Sequence, residues 1–273
     1  MMDLLKIEWL KLKNYTAFKV LAIFFGVGVV AVNYVVYEVN KNIVQNVPAG
    51  GIDSFSPYNF NMTWQTTSYA TGFTLILPAM LLAILITNEY SYKTHRQNII
   101  DGLTRSQFIN VKMMLAIIFA AVATVLVFLT ALVFGLFSGT DFTFSGVSNV
   151  GYFFMKALTY NLFAVLISVL VRRTGFSIGL LFIYLGAENI LSQIMWGLSI
   201  KLKRENGIDL GNMGDYLPLN ASDGLIEFTD NPVKTLSKSI LTSDITWLVF
   251  TLAIIYLALF FFWARRKFLK SDL

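Results

Sequence analysis

The chain has 273 residues, 56% of them hydrophobic and only 14% charged. Soluble domains carry about 25% charged residues, so a deficit this large, spread over several long apolar runs, points to a polytopic helical membrane protein rather than two soluble domains. The absence of cysteine and the single histidine exclude a disulfide framework, a thiolate metal site and an imidazole cluster. The net charge of +5 sits at the ends of apolar runs, which is the pattern of topology signals and not of nucleic-acid binding.

Residues 2–17 predict an amphipathic entry helix. Met2, Leu5, Trp9 and Leu12 recur at helical spacing on one side, flanked by Lys6 and Lys13, while Leu4, Ile7 and Leu10 fall off the stripe. Two readings stand: a helix in the membrane interface, or an extension of the first span. That span runs from about residue 18 to 37, near the roughly 20 residues a bilayer requires. Residues 38–68 read as a polar loop, with Pro48, Gly50, Gly51 and Pro57 and the aromatics Phe55, Tyr58, Phe60 and Trp64. The second span, about 69–87, carries Pro78, which removes a backbone hydrogen bond and predicts a kink serving either packing or gating.

Asn88–Lys112 is the longest polar stretch in the first two thirds of the chain. A short helix is expected over about Lys93–Ile100. Asp101-Gly102 would stop it, the glycine taking the left-handed conformation just past the end. Thr104 and Gln107 then have the spacing of a capping box for a new helix. A short helix held across the membrane surface could seat in the cleft of a soluble partner. An ordinary solvated loop is the alternative that spacing alone leaves open.

The third span, about 113–137, carries Ala116, Ala120, Ala121 and Ala123, followed by Gly135 and Gly139. Small residues let helices approach closely in lipid. A short turn leads to the fourth span, about 151–171, and Arg172-Arg173-Thr174 to the fifth, about 175–200. Gly175, Gly179 and Gly186 mark helix packing there. Glu188 is the acid well inside this apolar run. It is read either as a pathway, cargo-binding or inter-helix residue, or as a group near the outer interface satisfied by Asn189 or Gln193. Residues 201–243 form the longest polar loop, whose apolar pieces (Leu217–Leu219, Leu225–Phe228, Leu236–Leu241) could fold back as small helices on the outer face. The last span is about 245–264. His95 is expected at the surface, without a metal or catalytic role.

Six spans put both termini on one side. Two thirds of the 21 Lys and Arg residues lie on that side, from Lys6 to Lys19, Lys93 to Lys112, at Arg172-Arg173 and from Arg265 to Lys270. Basic residues mark cytoplasmic loops, so the expected location is the cytoplasmic (inner) membrane, multi-pass, with both termini and the 88–112 stretch in the cytoplasm.

The pattern Glu89, Thr94, Arg96, Ile99-Ile100, Gly102, Thr104-Arg105, Phe108, Lys112 resembles the loop after the second span in type-2 ABC export permeases, in particular the branch serving antibiotic-peptide immunity and export. His95 departs from that pattern, standing where many relatives carry a small residue. The resemblance covers the whole chain. It implies an all-α membrane fold of six transmembrane helices with an N-terminal interfacial amphipathic helix, and a cytoplasmic coupling helix between spans two and three. One permease domain would cover 1–273. It implies further a separate ABC ATPase subunit dimer that binds ATP and Mg, no cofactor in this chain, and a second permease copy or paralogue. Glu89, Lys93, Thr94, Arg96, Ile99, Ile100, Asp101 and Arg105 are then the expected ATPase contacts. No G-x-x-x-x-G-K-[ST] phosphate loop occurs in the sequence, so no enzymatic activity is expected of this chain.

A secondary transporter would show internal repeats and several ionisable residues at mid-membrane. No clear repeat relates the two three-span halves, and Glu188 is the one buried acid evident. A permease-like sensor or scaffold is the other alternative, and co-purification of an ATPase separates these readings.

Overall fold

The computed structural model describes residues 2–46, 58–226, 241, 243 and 245–270. The first two helices are α1, Met2–Lys13, and α2, Thr16–Asn46. After them come α3, Phe60–Gly72, and α4, Ile76–Ser91, joined by a 3-10 turn at Phe73–Leu75. The short α5, Thr94–Ile100, precedes three long helices: α6, Arg105–Phe137; α7, Ser148–Val171; and α8, Thr174–Asn206. A 3-10 turn at Met213–Tyr216 and the four-residue α9, Asn220–Asp223, lead to α10, Thr246–Leu269. Among the described residues six segments are long and apolar enough to cross a membrane, so the six-span, all-helical expectation holds.

The bundle is built around α3–α4 and α7. In each, 67% of the most apolar stretch is buried, against 11–22% in α2, α6, α8 and α10, which surround them. The alanines of α6 make this possible. Ala116, Ala120 and Ala123 are fully buried and let α7 approach until the Asn161 amide donates to the Ala116 carbonyl at 3.0 Å. Ala121 faces outward. At Gly135 a Cβ would come within 2.7 Å of the Phe60 ring, so the missing side chain is what seats that ring.

The second span differs most from its expected bounds. It begins at Phe60, not near residue 69, and runs 32 residues to Ser91. Its first turns, rich in Thr, Ser and Asn, read as loop. Instead Thr63, Trp64, Ser68 and Thr71 are buried, and their polar groups bond within the bundle. Thr63 donates to the Ala131 carbonyl, Ser68 to that of Trp64, and Asn33 of α2 to the Thr71 hydroxyl. The irregularity from Pro78 appears one turn earlier. Proline cannot donate to the carbonyl four residues back and its ring crowds that group. The carbonyl belongs to Thr74, which sits in the middle of the 3-10 turn.

The entry helix packs through Leu5 and Leu12 of the predicted stripe, but with Glu8 rather than Trp9 beside them. Leu12 and Glu8 are buried and Leu5 is partly so, whereas Trp9 is 56% exposed. Residues 207–210 are largely exposed, but residues 213–226 do not lie on an outer face and enter the bundle. Leu219 joins the main apolar cluster, and Ile226 packs with Phe25, Val29, Leu75, Ala120 and Phe153. Pro48, Gly50, Gly51, Phe55, Pro57, Phe228, residues 236–240 and the Met2 side chain lie outside the described part of the structure.

Candidate functional site

The stretch between α4 and α6 forms a helix–turn–helix element on the face of the bundle that carries both chain ends. Lys93 adopts φ +57°, uncommon for a residue with a Cβ, and reverses the chain out of α4 into α5. The exit from α5 is a Schellman turn. The Gly102 amide donates to the Ile99 carbonyl at 3.1 Å and that of Leu103 to Asn98 at 3.0 Å, with Gly102 at φ +101°. The predicted capping box is complete. The Gln107 amide donates to the Thr104 hydroxyl at 3.2 Å, and the Thr104 amide to Gln107 Oε1 at 3.0 Å.

His95 is buried, contrary to its expected surface position. The tight reversal at Lys93 folds the start of α5 back on the end of α4, so that His95 Nδ1 lies 2.9 Å from the Glu89 carbonyl oxygen. Its ring centroid is 4.7 Å from that of Tyr90, and the Arg172 guanidinium sits 5.4 Å from the Tyr90 ring. The α7–α8 turn, α4 and α5 are thereby joined.

Beside the start of α5 lies a cluster of four charges, of which Glu8, Glu89 and Lys112 are buried and Lys11 is exposed at the rim. Lys112, in the second turn of α6, has a side chain only 1% exposed, and its Nζ donates to Glu89 Oε1 at 2.6 Å and to Glu8 Oε2 at 2.7 Å. Lys11 adds bonds of 2.9 Å to Glu8 Oε1 and 3.2 Å to Glu89 Oε1. Two ammonium groups and two carboxylates neutralise one another, which is what burial of charge demands. Burial alone would raise the Glu8 carboxyl pKa, but the charges and hydrogen bonds of Lys112 and Lys11 outweigh it and hold it below its ordinary value. Burial likewise opposes the Lys11 ammonium, and Glu89 and Glu8 outweigh it and raise its pKa.

Further contacts tie in the remaining elements. Phe108 stacks on Phe268 of α10 with centroids 4.9 Å apart and planes 7° from parallel. Arg105 donates to the Leu269 carbonyl, Arg265 to the Ser106 hydroxyl, and Asn88 to the Tyr15 hydroxyl.

The structure separates the predicted contact residues into two groups. Lys93, Thr94, Arg96, Ile100 and Asp101 are exposed, Ile100 at 78%. Ile99 and Arg105 are half-buried, and Glu89 turns inward to Lys112 and Lys11. Sequence reasoning missed Glu8, Lys11, Tyr90 and Arg172 as members of this element, and took Lys112 as the last letter of a motif. The available signal was Glu8 itself, which falls between Leu5 and Leu12 on one helical face.

Glu188 lies apart, on α8. It is buried, and its Oε1 accepts the backbone amides of Leu219 at 2.7 Å and Asn220 at 2.9 Å. Asn189 and Gln193, the partners the sequence suggested, are both exposed.

The profile of a family described as ABC-2 family transporter protein matches residues 4–187, two thirds of the chain. The chain belongs to the ABC-2 transporter family. The matched stretch takes in this ABC-2 protein's α1 from residue 4, the α4–α6 element with all four charges of the cluster, and the Arg172 turn. It ends one residue before Glu188. No curated protein matches the chain.

Proposed function

We propose that this protein is the membrane-spanning permease subunit of an ATP-driven exporter, and that α5 is the helix on which a separate ATPase subunit seats. The observation that carries this reading is the two-sidedness of α5. Lys93, Arg96, Ile100 and Asp101 are exposed on one side, while His95 fastens the other side to the end of α4, whose Glu89 is paired with charges of α1 and α6 and whose Tyr90 meets Arg172 of the α7–α8 turn. A helix held this way passes a push on its exposed side to several spans at once. The excess of Lys and Arg on this face supports a cytoplasmic orientation for it, with the chain in the inner membrane. The lean toward export follows the branch that the 88–112 pattern resembles.

A second permease chain, a copy or a paralogue, completes the pathway. Support comes from α8. A Cβ at Gly175, Gly179, Gly186 or Gly197 would meet nothing within 4 Å, and the exposed amides of Asn189 and Gln193 share the face of Gly186 and Gly197. Asn189, one residue after Glu188, lies at membrane depth, where polar side chains face protein or water rather than lipid, so this face is covered in the assembled transporter.

The test is co-purification. The native chain should bring down a stoichiometric ATPase, and Asp101→Lys or Arg96→Glu should cut its activity about tenfold or more, as loss of an interfacial anchor does, with permease yield unchanged. An ATPase that neither co-purifies nor responds removes this reading in favour of a secondary transporter or a membrane sensor.

A further inference from the structure

We propose that the Lys156–Asp223 ion pair, together with Glu188, latches residues 213–226 inside the bundle and closes the transport pathway on the face opposite the chain ends. Lys156 lies on α7, sixteen residues before Arg172, and Glu188 lies on α8, fifteen after Arg173. At about 1.5 Å per residue both stand about 22–24 Å from that turn, still inside a hydrocarbon layer about 30 Å thick. Charged groups at that depth are costly unless paired.

Their partners come from a segment that is not a span. Asp223, the last residue of α9, receives Lys156 Nζ at 3.3 Å on Oδ1 and the Tyr160 hydroxyl at 2.9 Å on Oδ2. The start of α9 is held by Glu188, which accepts the Leu219 and Asn220 amides. One short helix is therefore gripped at both ends by side chains of two different spans. Gly72 on α3 makes room for the grip, since a Cβ there would fall 2.6 Å from Lys156 Nζ.

The segment is held by apolar packing of Leu219, Ala221, Leu225 and Ile226 and, at the two ends of α9, by these charges. Irregular backbone at membrane depth is tolerated only where protein or water covers it, and the ion pair and the carboxylate cap are the polar part of that cover. Apolar packing degrades gradually, whereas an ion pair in a low-dielectric site is either closed or separated by water. The Asp223 side chain retains 27% exposure, so water can reach the pair when it parts. Lys156 and Glu188 are positioning residues in this scheme and need touch no cargo.

The scheme rests on the transport reading only in calling the closed space a pathway, and its test needs no ATPase, so failure of one leaves the other standing. The chain contains no cysteine, which allows accessibility to be read cleanly. Ser222→Cys places a thiol on buried α9, and Ser145→Cys on an exposed turn of the same face serves as an internal standard. Both are labelled in intact cells with a membrane-impermeant maleimide. Relative to the standard, Ser222→Cys should react slowly in the otherwise native chain. It should react about tenfold or more faster with Asp223→Asn or Lys156→Met, as expected once a buried charge loses its partner. Gly72→Ala should also speed labelling although it changes no charge, because it displaces Lys156. Exchanging the pair, Lys156→Asp with Asp223→Lys, should return the rate to within about threefold of the parent. The proposal is overturned if the three single variants label within about twofold of the parent, or if the exchanged pair labels as fast as they do.

Discussion

Lys112 Nζ lies 2.6 Å from Glu89 Oε1, joining the second turn of α6 to the end of α4 across the base of α5. With Glu8 and Lys11 it makes a neutral set of four charges. Removing one partner of such a set leaves charge buried without compensation, at about 3–5 kcal/mol. Lys112→Met should therefore destabilise the protein by about 3 kcal/mol, because Lys11 can answer only part of the two carboxylates left behind. Glu89→Gln in the same background should recover a good part of that loss. Thermal unfolding in detergent reads both, and a Lys112→Met protein as stable as the parent would mean that water, not lysine, satisfies Glu89.

The same geometry divides residues that the sequence grouped together. Glu89→Gln should lower thermal stability, whereas Asp101→Lys should leave stability within about 0.5 kcal/mol of the parent, as for an exposed substitution, and act on the ATPase instead. If Asp101→Lys unfolds the protein or Glu89→Gln leaves it untouched, the assignment of inner and outer sides of this element is wrong.

The element's shape was legible because its chemistry is local. Thr104 and Gln107, and the glycine after Ile100, act within three or four residues, so spacing alone reveals them. The charge cluster was not legible. Lys112 reaches Glu8 across 104 positions and Lys11 reaches Glu89 across 78. An acid on an amphipathic helix is ordinarily assigned to the solvent side, so Glu8 drew no attention as a buried partner. For the fold, spans marked by apolar length were found. The start of the second was missed because Thr63 and Ser68 are polar by composition yet bond inside the bundle. The pairing of Lys156, in the fourth span, was not legible either, because its partner Asp223 is 67 positions away in a segment with no helical pattern of its own.

The turn after α5 should be sensitive to backbone chemistry. Gly102 holds φ +101°, where a Cβ is strained, so Gly102→Ala should cost about 1 kcal/mol or somewhat more. Thr104→Ala removes the cap of α6 at a cost of about 1 kcal/mol. Both should also weaken ATPase coupling, because they loosen the angle between α5 and α6. Limited proteolysis at 93–104 checks the first effect and ATPase activity the second. Faster cleavage with unaltered coupling would show that the angle does not matter.

The charge cluster makes stability depend on pH in a defined window. Glu8 has a folded pKa held below its usual 4.5, so its contribution is complete above that value and is lost as pH falls through the lower, folded one. Lys11 has a folded pKa raised above 10.5, so its contribution is complete below 10.5 and is lost as pH rises through the higher value. The difference in melting temperature between the parent and Glu8→Gln should thus be flat through neutrality and shrink only in acid below 4.5. A difference that already shrinks between pH 8 and 6 would contradict the pairing.

The exposed face of α8 carries the last expectation. Gly186, Asn189, Gln193 and Gly197 fall three, four and four residues apart, which aligns them along one side of the helix. Amides on that side have no hydrogen-bond partner in lipid, and glycines there permit close approach of another helix. A second copy meeting this face would bring its own Asn189 near the first. Asn189→Cys should then form disulfide-linked dimers under mild oxidation in membranes, well ahead of Ile194→Cys. Ile194 is 57% exposed and about 140° further round the helix at 100° per residue. Random collision in the bilayer would oxidise both positions alike. Equal yields at the two positions would therefore remove the argument that these amides meet a second copy of the chain.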